Sequence, residues 1–412
     1  MLRALATLAL CAALVGCQSV ATYFGGDAAP GGSPLYDAGA DDAGDATRPD
    51  GPDIPDGPPT PDGPLDAQLP RGPCAPAEIF RQSLNEESFD LSLDSLGQPH
   101  VVYLSDLLIA SGIYHGVGTS SSWNTADIGL SLTLTRLAGI VDGTDRLHLL
   151  YGAASSGPVY RVRDATSAAW SVVDTLDDQL IRTDSVSLTT DTTTGTVYGA
   201  VSGRSLFESA IQRFSLEAKS SVPFICAPAP VQQSLRLFAV AQGTDLLEVR
   251  DTAAQAWLLI KPLASHCTND TAAKLNRAYG NLDAVAFQPA STIAHLAHVD
   301  VSTSQLAHAR YDVTGANLPS YSPVAAGTQV TSSMLAVTYD QLTRSTVIVY
   351  GDRGSNELRI ARSIDGGMTW SSTKLVASTI TAGARVRAIA NAGRLHVLWR
   401  ENTDLRYVCH SL

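Results

Sequence analysis

The feature that most constrains this chain is an internal repeat that runs from about residue 90 to the C-terminus. A short strand pattern, a tight turn with Asp or Asn, and a more apolar strand recur about every 45–50 residues. Clear copies occupy residues 91–103, 139–151, 284–298, 336–350 and 388–399, and weaker ones occupy 186–200 and the region around 237–240. The period-two apolar pattern and the scarcity of helical patterns predict an all-β fold.

Most copies continue with a third strand and a fourth strand that carries tryptophan, as at Trp123, Trp170, Trp257 and Trp370. Four antiparallel strands at this period are typical of the blades of a β-propeller. The copies therefore predict a propeller with seven blades.

The last copy is incomplete, because only three residues follow Cys409. Its missing outer strand is predicted to come from residues 77–81, which precede the first copy. This closure places Cys74 beside Cys409 and predicts a disulfide between them. A second disulfide, between Cys226 and Cys267, follows by elimination, since disulfides are expected in an exported chain.

The N-terminus predicts export. A positively charged start and an apolar run over residues 4–15 match a secretory signal, and the run is shorter than the roughly 20 residues that span a bilayer. The run ends in Leu14-Val15-Gly16-Cys17, which resembles the lipobox of bacterial lipoproteins. The resemblance implies cleavage before Cys17 and lipidation of its thiol, with the membrane as partner through the lipid. The alternative is an ordinary signal peptide with an incidental cysteine.

Gln18 and Ser19 follow the cysteine where the family's inner-membrane retention signal places Asp, so the resemblance implies an outer-membrane lipoprotein. The predicted organisation is a signal peptide over residues 1–16, a lipidated tether over 17–73 and a propeller domain over 74–412. The tether contains ten Asp against Arg48 and Arg71, a net charge of −8 out of −12 for the chain. Its Asp, Pro, Gly and Ala composition predicts disorder.

The domain after residue 73 is nearly neutral, and it has no basic stripe that would indicate nucleic-acid binding. His100, His148, His295 and His396 share one position of the repeat. They are expected to lie on different blades with packing or hydrogen-bonding roles. His308 on the next strand is expected to approach His298, which makes too weak a ligand set for a metal. Neither a metal nor another cofactor is predicted.

One octapeptide carries a second resemblance. Residues 363–370 match the Asp-box of bacterial neuraminidases at all five defining positions, which are Ser363, Asp365, Gly367, Thr369 and Trp370. In the families that carry it, the box is a structural hairpin turn between the third and fourth strands of a blade. Degenerate copies end at Trp170 and Trp257. The resemblance implies a sialidase-like propeller, for which six blades are the alternative to seven.

The sialidase active-site pattern is not recognisable here. The early candidate arginine, Arg81, lies in Ile79-Phe80-Arg81-Gln82-Ser83, which lacks the family's proline. No motif locates further arginines or a Tyr–Glu pair, so catalytic residues are not predicted. The sequence favours a non-catalytic, surface-anchored propeller that binds a glycan or an extracytoplasmic protein. A sialidase-like glycoside hydrolase is the alternative.

Overall fold

The computed structural model describes residues 74–80, 89–107, 110–131, 134–153, 156–164, 170–171, 174–175, 182–190, 195–204, 209–215, 232–239, 245–252, 256–262, 273–274, 284–288, 291–300, 305–312, 321–324, 329–377 and 385–412. These residues form strands, turns and loops, and no described residue is helical. The prediction of an all-β fold is therefore confirmed. Cys17, Cys226 and Cys267 lie outside the described residues.

The described strands form seven antiparallel sheets, taken here in chain order. The first contains β2 (Phe89–Leu93), β3 (Pro99–Leu107), β4 (Ala110–Gly118) and β5 (Trp123–Ser131). The second contains β6 (Leu134–Val141), β7 (Leu147–Ala153), β8 (Ser156–Arg163) and β9 (Asp174–Thr175). The third contains β10 (Arg182–Thr190), β11 (Val197–Arg204) and β12 (Ser209–Ser215).

The other four sheets continue the pattern. The fourth contains β13 (Gln232–Ala239), β14 (Asp245–Thr252), β15 (Ala256–Pro262) and β16 (Ala273–Lys274). The fifth contains β17 (Ala284–Phe287), β18 (Ile293–Asp300), β19 (Gln305–Asp312) and β20 (Ser322–Pro323). The sixth contains β21 (Val330–Asp340), β22 (Ser345–Asp352), β23 (Glu357–Ser363) and β24 (Ser371–Ala377). The seventh contains β25 (Val386–Asn391), β26 (Arg394–Glu401), β27 (Asp404–Ser411) and, as its outer strand, β1 (Glu78–Phe80).

The first six sheets are meanders, because their strands pair in chain order, and in the seventh β25, β26 and β27 pair in chain order before β1 joins them. The second strand lies inside the sheet and is covered on both faces, as in β22, where all eight residues are buried. Such a strand has no solvent face, so it needs a continuous apolar run instead of strict alternation. This explains why the second strand of each repeat is the more apolar one.

The first strands of most successive sheets contact one another. Contacts join β2 to β6, β6 to β10, β10 to β13, β17 to β21, β21 to β25, and β25 back to β2. The apolar core lies between neighbouring sheets. One cluster combines Val102 and Leu104 of the first sheet with Leu137 and Leu149 of the second, and all four side chains are buried.

The chain closes on itself in the seventh sheet. Strand β1 pairs antiparallel with β27, and Glu78 lies opposite Tyr407. Cys74 and Cys409, which are 335 positions apart in sequence, form a disulfide with 5.6 Å between their Cα atoms. The predicted Cys74–Cys409 bridge is therefore confirmed. Phe80 of β1 packs edge-on against Trp123 of the first sheet, so this strand also seals the junction between the first and last sheets.

The described turns between first and second strands, at residues 94–98, 142–146, 340–344 and 391–394, lie at the same end of their sheets as the described third-to-fourth turns at residues 119–122 and 364–370. The ends of β2, β6, β10 and β25 border one cavity there. Neighbouring turns are hydrogen-bonded: the Ser95 amide donates to Asp145, and the Gly393 amide donates to Asp340. The third strands run parallel to the first, so residues 364–369 also lie at this end. We call this surface, defined by residues 94–98, 142–146, 340–344, 391–394 and 364–369, the turn face.

One interpretation of the repeat is wrong. The repeat predicts that Trp257, and the degenerate Asp-box that ends at it, lie at the junction of a third and fourth strand. In the structure Trp257 lies in β15, the third strand of its sheet, and the segment before it joins β14 to β15. An Asp and a Trp six residues apart fit more than one hairpin of a sheet, and without the two glycines they do not specify which hairpin it is.

Candidate functional site

A cavity of about 600 Å³ opens at the turn face. Its wall is built from the last residues of four first strands, β2, β6, β10 and β25, and from the turns that follow them. The volume lies within the range of ordinary ligand sites. The described residues that line it include three carboxylates, several hydroxyls, one amide and aliphatic side chains, but no lysine, arginine, glutamate or aromatic residue.

Asp94 and Asp142 occupy the same position in two successive sheets and cap the turn that follows each first strand. Asp94 accepts hydrogen bonds from the amides of Leu96 and Gln98 at 3.0 and 2.7 Å. Asp142 accepts from the amides of Thr144 and Arg146 at 2.8 and 3.0 Å. This is the local chemistry that favours Asp at turns, and it fixes the two carboxylates at the rim of the cavity.

Both rim carboxylates are held ionised. Burial raises the pKa of Asp94, but hydrogen bonds from His100 and from the turn amides outweigh it and leave the pKa below its ordinary value. Burial also opposes ionisation of Asp142, and hydrogen bonds from His148, Arg146 and Thr144 lower its pKa well below the usual range. The cavity therefore carries negative charge at its rim at neutral pH.

A third carboxylate, that of Asp90, lies deeper along β2. Its Oδ2 accepts a hydrogen bond from the Gly139 amide at 3.2 Å, and its Oδ1 lies 3.3 Å from Nε of Arg387. Asp142 forms a similar ion pair, 2.7 Å long, with Arg146. Two of the three carboxylates at the cavity are thus already compensated by an arginine.

The repeated histidines form a second kind of arrangement. Each of the four imidazoles is hydrogen-bonded to a histidine or tyrosine side chain on the third strand of its own sheet. The pairs are His100–His115 at 3.1 Å, His148–Tyr160 at 2.6 Å, His295–His308 at 3.1 Å and His396–Tyr407 at 2.7 Å. The four histidines lie in four different sheets, so they do not converge on one site.

The expected approach of His308 to His298 is wrong. His298 packs edge-on against Tyr321, with 4.2 Å between ring centroids, and His308 contacts His295 instead. The reason is the register of β18 and β19, which places Ala297 opposite His308 and leaves His295 on the same face one diagonal away. Among the described residues, no group of three or more His, Cys, Asp or Glu could hold a metal ion.

The Asp142–His148–Tyr160 chain has the connectivity of a proton relay. Nε2 of His148 lies 2.9 Å from Asp142, and Nδ1 lies 2.6 Å from the Tyr160 hydroxyl. His148 is only 1% exposed, and Tyr160 packs among apolar side chains between the second and third sheets. The His148 and Tyr160 rings are therefore closed to a substrate, and the hydrogen bonds link the turn after β6 to β7 and β8.

The Asp-box residues form one rigid turn. Asp365 accepts hydrogen bonds from the amides of Met368 and Thr369 and from the Thr369 hydroxyl, at 3.0, 2.9 and 2.5 Å. Ser363 donates to Asp365 at 2.7 Å, and the Trp370 indole donates to the Gly367 carbonyl at 3.0 Å. The hydrogen bonds from Thr369, Ser363 and Met368 to the Asp365 carboxylate lower the pKa of Asp365 well below the usual range.

The same turn fastens the sixth sheet to the fifth. The Trp370 ring lies 4.9 Å from the ring of His308, and Gly367 has a φ of 99° directly against that imidazole. His308 is in turn bonded to His295, so the turn packs on a buried aromatic pair. The Asp-box therefore contributes to packing between sheets and lies outside the cavity wall.

We expect Gly367→Ala to be strongly destabilising. A methyl group there would overlap with the imidazole of His308, and its φ is one that non-glycine residues rarely adopt. The free energy of unfolding should fall by about 2–4 kcal/mol in denaturant titration. Gly143→Ala is the matched control, because nothing lies within 4 Å of a methyl group there. Equal losses in the two variants would contradict this role of Gly367.

The turn face also bears the large apolar side chains that are exposed in the described part of the chain. Leu96 is 66% exposed, Leu342 37%, Ile364 72% and Met368 81%. Leu96 and Leu342 lie in turns between first and second strands, and Ile364 and Met368 lie in the Asp-box turn. They lie on the same face as the cavity.

Sequence reasoning did not find the cavity. Asp94 and Asp142 were visible as turn residues of the repeat, but nothing in the sequence brings Thr189 of β10 and Asn391 of β25 to the same opening. In the described strands and loops, no helix is long and apolar enough to cross a membrane.

No family model matches the chain, and no curated protein matches it either. Among solved structures, it is similar to the Hadza microbial sialidase Hz136, with TM-score 0.45, 11% identity and 74% of each chain covered. It is also similar to the Dos1 propeller, with TM-score 0.47, 8% identity and 81% of this chain and 95% of that one covered. TolB from Acinetobacter baumannii gives TM-score 0.42 and 10% identity over 67% of this chain and 63% of that one.

The class of protein is defined by the chain's own sheets. Consecutive antiparallel sheets of three or four described strands, most of whose first strands contact the first strand of the next sheet, and a last sheet that takes its outer strand from the start of the domain, are the architecture of a β-propeller.

Proposed function

We propose that this chain is a lipid-anchored, seven-bladed, sialidase-like propeller that binds a glycan or a protein partner outside the cytoplasm without catalysing a reaction. The observation that carries the proposal is the cavity of about 600 Å³ at the turn face. Its wall is contributed by four sheets. The exposed Leu96 and Leu342 extend the contact surface around it.

The test is binding of the purified chain to arrays of oligosaccharides and of envelope-protein peptides. Gly143 lines the cavity, and its Cβ position is open, so Gly143→Trp should fill the opening without disturbing the fold. Gly143→Ala leaves the opening free and serves as the control. Binding that Gly143→Trp abolishes and Gly143→Ala keeps supports the proposal; binding unaffected by both would sink it.

A sialidase-like hydrolase is the competing proposal. Sialidases hold the substrate carboxylate with arginines, and the described lining of this cavity contains none. Arg387 and Arg146, which lie next to it, are in ion pairs with Asp90 and Asp142. We expect no release of fluorophore from a fluorescent sialoside between pH 4 and 8; turnover above the level of a heat-denatured control would favour the hydrolase.

The anchor is a separate part of the proposal. Cleavage before Cys17 and lipidation of its thiol would leave the domain on the tether 17–73, held in the outer membrane. Metabolic labelling with an alkyne fatty acid should mark the wild-type chain and not Cys17→Ser. The substituted protein should then move from the outer-membrane fraction to the soluble envelope fraction.

A further inference from the structure

The groups that line the cavity are mainly acceptors of hydrogen bonds. Asp90 and Asp94 contribute carboxylate oxygens, and Ser92 and Thr189 contribute hydroxyls that can either donate or accept, whereas the side chain of Asp142 is only 1% exposed. Only an amide, that of Asn391, adds a side-chain N–H donor. A ligand that is rich in donors is complementary to such a wall.

The charge of the cavity restricts the ligand further. An anionic ligand would face ionised carboxylates, and the described lining residues offer it neither lysine nor arginine. A cationic ligand gains less than the three carboxylates suggest, because Asp90 is already paired with Arg387 and Asp142 with Arg146. An uncharged ligand is not repelled by the carboxylates, and its binding does not depend on carboxylates that already have an arginine partner.

The rest of the wall is aliphatic. Ile140, Leu188 and Ile389 border the cavity and are partly exposed, so apolar surface lies beside the acceptors. Hydroxyl donors next to weakly apolar C–H faces are the chemical character of a sugar ring. The volume of about 600 Å³ is sufficient for an oligosaccharide of a few residues.

We propose that the cavity binds an uncharged saccharide and excludes acidic sugars such as sialic acid. This inference rests on the proposed function, since it names the ligand class of the same cavity. It separates the chain from the sialidases that its Asp-box resembles, because their ligand is an anion.

The experiment compares matched ligands on the purified chain. Isothermal titration is run with N-acetyllactosamine oligomers, with the same oligomers capped by sialic acid, and with spermidine as a cationic probe. We expect the neutral oligomer to bind, and the sialylated one to bind about tenfold more weakly or not at all because of charge repulsion. Raising the salt concentration from 0.05 to 0.5 M should narrow that difference.

The Gly143 variants locate the binding and separate the outcomes. Binding of the neutral oligomer should be lost in Gly143→Trp and kept in Gly143→Ala. Equal or tighter binding of the sialylated oligomer, or Trp-sensitive binding of spermidine or of an array peptide alone, would overturn the saccharide inference while the proposed partner-binding function stands. If no ligand on either array binds in a Gly143→Trp-sensitive way, both proposals fail.

Discussion

Replacing Cys74 and Cys409 by serine should lower the free energy of unfolding by about 4 kcal/mol. The bridge joins residues 335 positions apart, and closing so long a loop removes much of the entropy of the unfolded chain. Strand β1 is only three residues long, so its pairing with β27 gives little independent stability. Without the bridge we expect Phe80 to leave Trp123 and the junction between the first and last sheets to open first.

The measurement is denaturant unfolding of the oxidised wild type beside Cys74→Ser, Cys409→Ser and the double variant. Either substitution removes the same bridge, so all three variants should lose a similar amount. Ser121→Ala, at an exposed turn, is the control and should change stability by less than about 0.5 kcal/mol. Losses that add up in the double variant would mean that the two cysteines act independently.

Acid should destabilise the protein below about pH 6.5, before its carboxylates begin to titrate. Burial lowers the pKa of His115 and of His295 to about 3, with smaller contributions from neighbouring His and Arg side chains. Burial lowers the pKa of His308 to about 4, and burial together with Arg394 lowers that of His396 to about 4. These residues lie inside the sheets, at the pairs that link second and third strands.

The direction of the change in stability with pH follows from proton binding. The unfolded chain protonates its histidines near their ordinary pKa of about 6.5, whereas the folded protein keeps these four neutral to much lower pH. Between those values the unfolded state binds more protons, so their contribution to stability is complete above about pH 6.5 and is lost as the pH falls toward 4.

The His396–Tyr407 pair allows the effect of pH on stability to be measured for one histidine. His396→Gln removes one titrating group, so the decline of unfolding free energy between pH 6.5 and 4 should be smaller by up to about 3 kcal/mol. Tyr407→Phe is the control, because it removes the hydroxyl 2.7 Å from Nδ1 of His396 and keeps the buried imidazole. Tyr407→Phe should lower the free energy of unfolding at every pH and leave the steepness of its decline with falling pH unchanged. An unchanged pH profile in His396→Gln would show that His396 does not titrate in this range.

The repeat predicted most of the fold because its signals are local. Alternation of apolar residues within five to nine positions defines a strand, and Asp94, Asp142 and Asp340 each cap the turn that follows within four residues. The repeat predicted the wrong strand junction for Trp257, because the glycines that specify the Asp-box turn are missing there. It succeeded at Cys74 and Cys409 because an incomplete last copy requires a strand from elsewhere.

The sequence by itself determined the all-β class, the strand that closes the last sheet and the Cys74–Cys409 bridge, since each follows from a period or from a missing element. Only the tertiary structure decided which side chains meet. His308 contacts His295 because of strand register, and the cavity exists because the ends of β2, β6, β10 and β25 converge. Those strands lie on the order of 50 residues or more apart along the chain, and contacts at such separations depend on packing that no local pattern encodes.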